Sequence, residues 1–194
     1  METYIPKEVE EKIRDRELHR IVTTVIIYRP DFTYLITRRA LHKKMMPGKW
    51  TVPGGGLNID DYIHIAPKTV GAPQWYGALS NTTRREIQEE VNVVIGDPEL
   101  LTDLTFIRPD GVPVIVFSYF APYASGEVTF DQDTEGDTID AKWVTLEEAR
   151  EYDLIDGIWD EMKEVEEMMA PFGRPLLRAC GAEDIRKARM ETPY

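Results

Sequence analysis

Residues 85–93, Arg-Glu-Ile-Gln-Glu-Glu-Val-Asn-Val, set the strongest constraint on this chain. Wound as a helix, they put Glu86, Glu89 and Glu90 at i, i+3 and i+4, on one face. Ile87, Val91 and Val94 fall on the neighbouring face, where a core would take them. Like charges at this spacing cost an isolated helix roughly 0.2–0.5 kcal/mol. Arg85 can offset part of that by pairing with Glu89, but no cation stands on the carboxylate face itself. Two environments relieve such a face. One is bulk water, the usual surroundings of an acidic stretch. The other is a hard divalent cation such as Mg²⁺ or Mn²⁺, which prefers carboxylate oxygens and water.

The residues upstream favour the second. Pro47-Gly48-x-Trp50-x-x-Pro53-Gly54-Gly55 precedes the helix, and the run Gly54-Gly55-Gly56 permits positive φ and close approach of backbone to a ligand. Together the two segments resemble the Nudix hydrolase signature, Gly-x5-Glu-x7-Arg-Glu-aliphatic-x-Glu-Glu-x-Gly-aliphatic. Gly55 stands as the first Gly, and Asp61 stands where the family usually has Glu. The chain departs from the pattern in two further ways: residues 62–84 fill a gap that is normally far shorter, and Asn92 replaces the last Gly. Asn is the commonest substitute where a helix end needs a left-handed residue, so that change is mild.

The resemblance implies an α/β fold, a Nudix-type α/β/α sandwich with a mixed β-sheet. It implies hydrolysis of a diphosphate linkage in a nucleoside diphosphate derivative or a nucleoside triphosphate. Mg²⁺ (or Mn²⁺) would be held by Glu86, Glu89 and Glu90 together with a backbone carbonyl near Gly55. Arg85 would hold a glutamate in place by a charge-assisted pair. One carboxylate would take the proton of the attacking water. Glu86, Glu89 and a loop acid are rivals for that role. In the family the loop acid precedes a Trp-Val strand, here Trp143-Val144. Asp133, Glu135 and Asp137 all qualify, and Glu135 is carried forward as the representative.

Arg38-Arg39-Ala-Leu-His42-Lys43-Lys44 is a basic patch in an otherwise acidic chain, placed just before the glycine turn. Singly these residues read as a solvated loop. As a group, with Arg38, Arg39 and Lys44 as the candidate contacts, they suit the phosphates of a substrate. The same stretch through Thr51 resembles isopentenyl diphosphate isomerase. That enzyme needs Cys-Gly-His just beyond it, where this chain has Pro53-Gly54-Gly55-Gly56. Isomerase chemistry and a catalytically silent Nudix-fold binding module are the alternatives to hydrolysis. In the long segment before the acidic helix, Pro and Gly signal an irregular loop bordering the pocket, and Trp75 is a candidate for stacking on a base.

The 194 residues divide into an N-terminal helical extension (1–18), a Nudix hydrolase domain (19–170) and a C-terminal tail (171–194). A helix is expected over 7–18, strands over 21–28, 34–37, 104–108, 112–119 and 127–130, and a helix over Ile158–Met169 with Ile158, Met162, Val165 and Met169 as its packing stripe. Ser80 or Asn81 would cap the acidic helix, and Thr145-Leu-Glu-Glu reads as a capping box. A formal net charge of −12 excludes a nucleic-acid polymer as the main partner and fits a phosphorylated small molecule only through a recruited cation. One cysteine, Cys180, suits a reducing cytoplasm, and no apolar run suggests a membrane span. Oligomeric state is open, with room for a homodimer.

Overall fold

The computed structural model describes residues 7–170; residues 1–6 and 171–194, which include the expected C-terminal tail and Cys180, lie outside it. Its centre is β1 (Arg20–Tyr28), a run of β-branched residues covered on both faces. β1 turns back into β2 (Thr33–Arg39), pairing Tyr28 with Tyr34. Two short strands follow, β3 (Trp50–Thr51) on β2 and β4 (Gly54–Gly56) on β1. β5 (Val93–Ile95) and β6 (Glu99–Ile107) both pair with the long β7 (Pro113–Gly126), and β8 (Thr138–Thr145) pairs with β2. β7 runs parallel to β1, and every other pairing is antiparallel, so the eight strands form one mixed sheet.

The sheet separates two cores. On one side Ile87 and Val91 of α3 (Ala78–Val91) pack on Val25, Ile27, Leu35, Tyr119 and Ala121. On the other, Ile158, Met162, Val165 and Met169 of α4 (Ile158–Met169) pack on Ile26, Tyr34, Ile36, Phe120 and Val144. This is the expected α/β/α sandwich, and the α4 stripe falls where its spacing placed it. No helix of the described residues is long and apolar enough to cross a membrane.

Several boundaries differ from expectation. The N-terminal helix is only α1 (Lys7–Glu10), because Asp15 Oδ1 accepts from the Glu17 and Leu18 amides and fixes a turn. Residues 127–130 form no strand; β7 ends at Gly126 with φ +101°, and beyond it the Thr129 amide bonds the Val91 carbonyl. β6 starts at Glu99, five positions before the expected strand at 104. α3 starts at Ala78 behind a left-handed Gly77, so Ser80 and Asn81 lie inside it and do not cap it. Its end matches the reading: Asn92 is left-handed at φ 55°, ψ 32°. Val94 therefore leaves the helix for β5 and is exposed. The capping box forms, with Thr145 N donating to Glu148 Oε2 at 2.8 Å and Glu148 N to Thr145 Oγ1 at 3.3 Å, ahead of a 3-10 turn over Glu148–Glu151.

The segment between the glycine turn and α3 folds on itself. α2 (Asp60–Ile63) is a single turn, and Trp75 lies against Tyr62 with ring centroids 5.4 Å apart while its indole N–H bonds the Ile65 carbonyl at 2.7 Å.

Candidate active site

β4 lies so close to β1 on one side and α3 on the other that only glycine fits at Gly54 and Gly55. At Gly54, with φ +156°, a Cβ would stand 2.1 Å from the Thr23 carbonyl oxygen. Its amide instead donates to Glu90 Oε2 at 3.0 Å. At Gly55 a Cβ would lie 2.1 Å from the Glu86 carboxyl carbon. The glycine turn thus lets two carboxylates of the helix reach the backbone of the strand.

Arg85 fixes the remaining geometry. Its Nε donates to Asp61 Oδ1 at 2.5 Å, its Nη1 to Glu89 at 2.8 Å, and its Nη2 to Glu86 at 2.8 Å and the Gly56 carbonyl at 3.2 Å. Asp61 is buried and also accepts from the Asn58 amide at 2.9 Å and the Thr82 hydroxyl at 2.7 Å. The acid that stands in for the family's glutamate is therefore the anchor of the clamp on Glu86 and Glu89, while the inserted residues lie between α2 and the start of α3.

Burial pushes Glu90 up to about 8; the Gly54 amide opposes this, Glu86 adds to it, Arg39 opposes it and Asp133 adds to it. Glu86 also rises, chiefly through burial, against the pull of Arg85. Asp61 moves the other way. Burial raises it, but the hydrogen bonds from Arg85, Asn58 and Thr82 and the guanidinium charge together hold it below the ordinary aspartate value. Among the described residues no group of three or more His, Cys, Asp or Glu side chains is drawn together to hold a metal ion. The helix instead offers a row of carboxylates opening on a cavity, the arrangement suited to Mg²⁺, which keeps several waters and takes one or two carboxylates.

That cavity is about 1600 Å³. Its walls include Gly55, Arg85, Glu86, Glu89, Glu90, Arg39 and Lys44. The loop acids also line it, in different states. Asp137 is paired with Lys43 and His42, and Asp133 accepts the Thr138 amide at 2.8 Å. Glu135 is exposed and paired with nothing among the described residues. Two sequence candidates lie elsewhere. Arg38 donates to the Gly48 carbonyl at 3.1 Å, closing the basic loop, and is not a cavity wall. Trp75 is not a wall either, nor is any residue of 59–84. The indole packs within its own loop, so the expectation that this segment borders the pocket fails. Trp75→Ala should then lower stability by about 1–2 kcal/mol, the sum of an aromatic pair and a hydrogen bond, with substrate affinity unchanged. Paired urea titrations and binding isotherms check this.

Sequence reasoning missed two cavity cations. Arg20 lies over Gly56, 2.7 Å from where a Cβ would stand, and makes no ion pair among the described residues. Arg108 bonds Asp110 at 2.6 Å but leaves its buried Nε without an acceptor. Arg20 opens β1 and Arg108 follows β6, positions where a lone arginine carries no spacing signal.

A family model for the NUDIX domain matches residues 18–169. The chain belongs to the Nudix hydrolase family. Its fold is similar to that of several solved Nudix proteins. A MutT protein from Methanosarcina mazei Go1 superposes with a TM-score of 0.59 at 20% identity, covering 80% of this chain and 99% of that one. The Nudix domain of Shewanella oneidensis NrtR, solved with ADP-ribose, gives 0.58 at 16% identity, covering 86% and 100%. A C. elegans Ap4A hydrolase gives 0.53 at 19% identity, covering 79% and 99%. No curated protein matches the sequence. Within this Nudix chain the signature's two halves, separated by the long insertion, come together as one β4–α3 unit.

Proposed function

We propose that this chain hydrolyses a diphosphate linkage in a nucleoside diphosphate derivative or nucleoside triphosphate, with Mg²⁺ (or Mn²⁺) as cofactor. The observation that carries the reading is the row of Glu86, Glu89 and Glu90 facing the same cavity as Arg39, Lys44 and Arg20. An acidic row alone would repel a phosphorylated ligand, and a basic patch alone would bind it without activating water. Relatives of this fold, one solved with ADP-ribose and one an Ap4A hydrolase, support the nucleotide class.

Glu86, Glu89, Glu90 and the Gly55 carbonyl are the groups that would hold the cation, which when bound supplies Lewis-acid polarisation of phosphoryl oxygens and a lowered pKa for bound water. Arg39, Lys44 and Arg20 bind the phosphates and set the linkage against the acidic row. Arg85, itself fixed by Asp61, holds Glu86 and Glu89 in one orientation, so the site is organised before substrate arrives. A carboxylate oxygen of Glu135 accepts the proton of the attacking water. Support for this choice over Asp133 and Asp137 is that both of those already hold a partner.

Incubating the protein with phosphorylated metabolites and Mg²⁺, with products identified by mass, tests the reading. Cleavage within a diphosphate is expected; rearrangement without a change of mass would favour the isomerase, and binding without turnover the silent module. Arg39→Ala and Lys44→Ala should each raise KM about tenfold, roughly 1.4 kcal/mol, with little change in kcat, since contacts to phosphates act in ground and transition states alike. Steady-state kinetics that leave KM untouched in both variants would make the patch a solvated loop.

A further inference from the structure

Thr23 stands where a buried strand position calls for valine. It alternates in phase with Val25 and Ile27, which pack against α3, so its side chain points to that face and is 0% exposed. Its Oγ1 has no hydrogen-bond partner. Among the described residues Arg108 Nε is the other buried side-chain polar atom in that state, and its guanidinium is already paired with Asp110. Thr82 and Thr83, equally buried, return their hydroxyls to the Ala78 and Leu79 carbonyls of their own helix. A strand residue has no carbonyl one turn back. A buried hydroxyl left without a partner is costly, and its retention asks for a reason.

The sheet register shows what lies over it. Thr23 pairs with Gly55, and the flanking bonds, Val25 N to Pro53 O at 2.9 Å and Leu57 N to Ile21 O at 3.0 Å, fix that pairing on both sides. The space a side chain at 55 would fill is taken by the Glu86 carboxylate, with its carbon 2.1 Å and its Oε2 2.2 Å from where a Cβ would stand. Directly opposed residues put their Cβ atoms about 5 Å apart, so hydroxyl and carboxylate share one site on the sheet. They do not bond to each other here. Glu86 Oε1 accepts instead from Arg85 Nη2 at 2.8 Å.

Arg85 and a cation compete for Glu86. The guanidinium that orients the carboxylate also cancels part of the charge that a cation needs. A second positive donor would deepen that conflict, whereas a hydroxyl donates a hydrogen bond without net charge. Resting on the cation site proposed above, we propose that Thr23 is a positioning residue for it: its hydroxyl donates to the Glu86 carboxylate when that group turns from Arg85 to a divalent cation. The bond is unmade in the cation-free protein and made on loading. It therefore adds to cation affinity and not to the stability of the free fold.

Mn²⁺ dissociation constants test this without turnover. They are read from free Mn²⁺ by electron paramagnetic resonance on the metal-stripped full chain, with no nucleotide present. Thr23→Val keeps the shape of the side chain and removes the hydroxyl. It should weaken Mn²⁺ binding about five- to tenfold while Tm in chelator holds or rises. Thr23→Ser keeps the hydroxyl and drops the methyl. It should lower Tm yet keep the Mn²⁺ constant within about twofold of wild type. A packing role predicts the reverse, with the valine variant silent and the serine variant impaired. Thr23→Ala also lacks the hydroxyl and gives the same comparison should the valine variant not fold. Equal Mn²⁺ constants in wild type and the valine variant would overturn the proposal, as would a loss in the serine variant as large as in the valine one. A valine variant with a lower Tm in chelator would mean that the hydroxyl already has a partner in the free fold, and would overturn it too. Wild-type protein that binds no Mn²⁺ would sink the cation site and this proposal with it. Mn²⁺ binding without hydrolysis of any substrate would sink only the hydrolase reading.

Discussion

Glu90→Gln is expected to lower turnover at least about 100-fold, equivalent to about 2.7 kcal/mol of lost transition-state stabilisation. The substitution spares the local structure, since a glutamine oxygen can still accept the Gly54 amide that Glu90 Oε2 accepts at 3.0 Å. What it removes is a negative charge beside Glu86, and with it part of the capacity to hold a cation. Metal-free stability should move the opposite way. The folded Glu90 titrates at about 8 because of its burial, above the ordinary glutamate value. An acid raised in the folded state binds more protons folded than unfolded. Its contribution is therefore fully favourable below the ordinary value and is lost as pH rises toward about 8. In chelator-treated protein the variant should match wild type near pH 4 and exceed it in Tm at pH 8. Thermal melts across that range and turnover against Mg²⁺ concentration are the measurements. Wild-type turnover in the variant at every Mg²⁺ concentration would remove Glu90 from the cation site.

Much of this arrangement could be read from local sequence because local rules govern it. Asn92 ends α3 in a left-handed turn for the reason that Gly usually does, and Gly55 is required where the Glu86 carboxyl meets the strand. The α4 stripe followed from helical spacing alone. Other features depend on which strands become neighbours, and no local pattern reports that. Arg20 joins the cavity only because β4 pairs with β1. Trp75 turns away from it because its indole finds Tyr62 and the Ile65 carbonyl inside its own loop. Glu161 left a local trace: it stands three residues after Ile158 and four before Val165, an acid on an apolar stripe. A charged residue at such a position marks either a partner across the core or a ligand. Ser118, far away in sequence, is the partner this one finds across the core.

Asp61→Ala should be the most damaging single change to the site as a structure. Asp61 carries no substrate contact; it is a positioning residue that satisfies Arg85. Truncating it removes the 2.5 Å bond to Arg85 Nε and strands the Asn58 amide, while the Thr82 hydroxyl falls back on the Ala78 carbonyl at 3.0 Å. Breaking one partner of a buried ion pair typically costs 3–5 kcal/mol, and a half-buried guanidinium that keeps its links to Glu86 and Glu89 places this case near the lower end, at about 3 kcal/mol. For a domain of this size that corresponds to a Tm lower by about 6–12 °C. The loss depends on pH with a definite sign. Asp61 is held below its ordinary value, so its contribution is present above that value and disappears as pH falls through the lowered one. The gap between wild type and variant should therefore be widest at neutral pH and close in acid. Turnover should fall with it, because Glu86 and Glu89 lose the fixed guanidinium that orients them. A general loss of folding lowers the amount of active enzyme without altering how it responds to the cation, whereas loss of the clamp should raise the Mg²⁺ concentration needed for half-maximal rate. Asp61→Asn, which keeps the shape and the Asn58 bond but not the charge, should show the shifted Mg²⁺ dependence with a smaller fall in Tm. An unchanged Mg²⁺ dependence in both variants would confine Asp61 to stability and leave Arg85 able to hold the glutamates unaided.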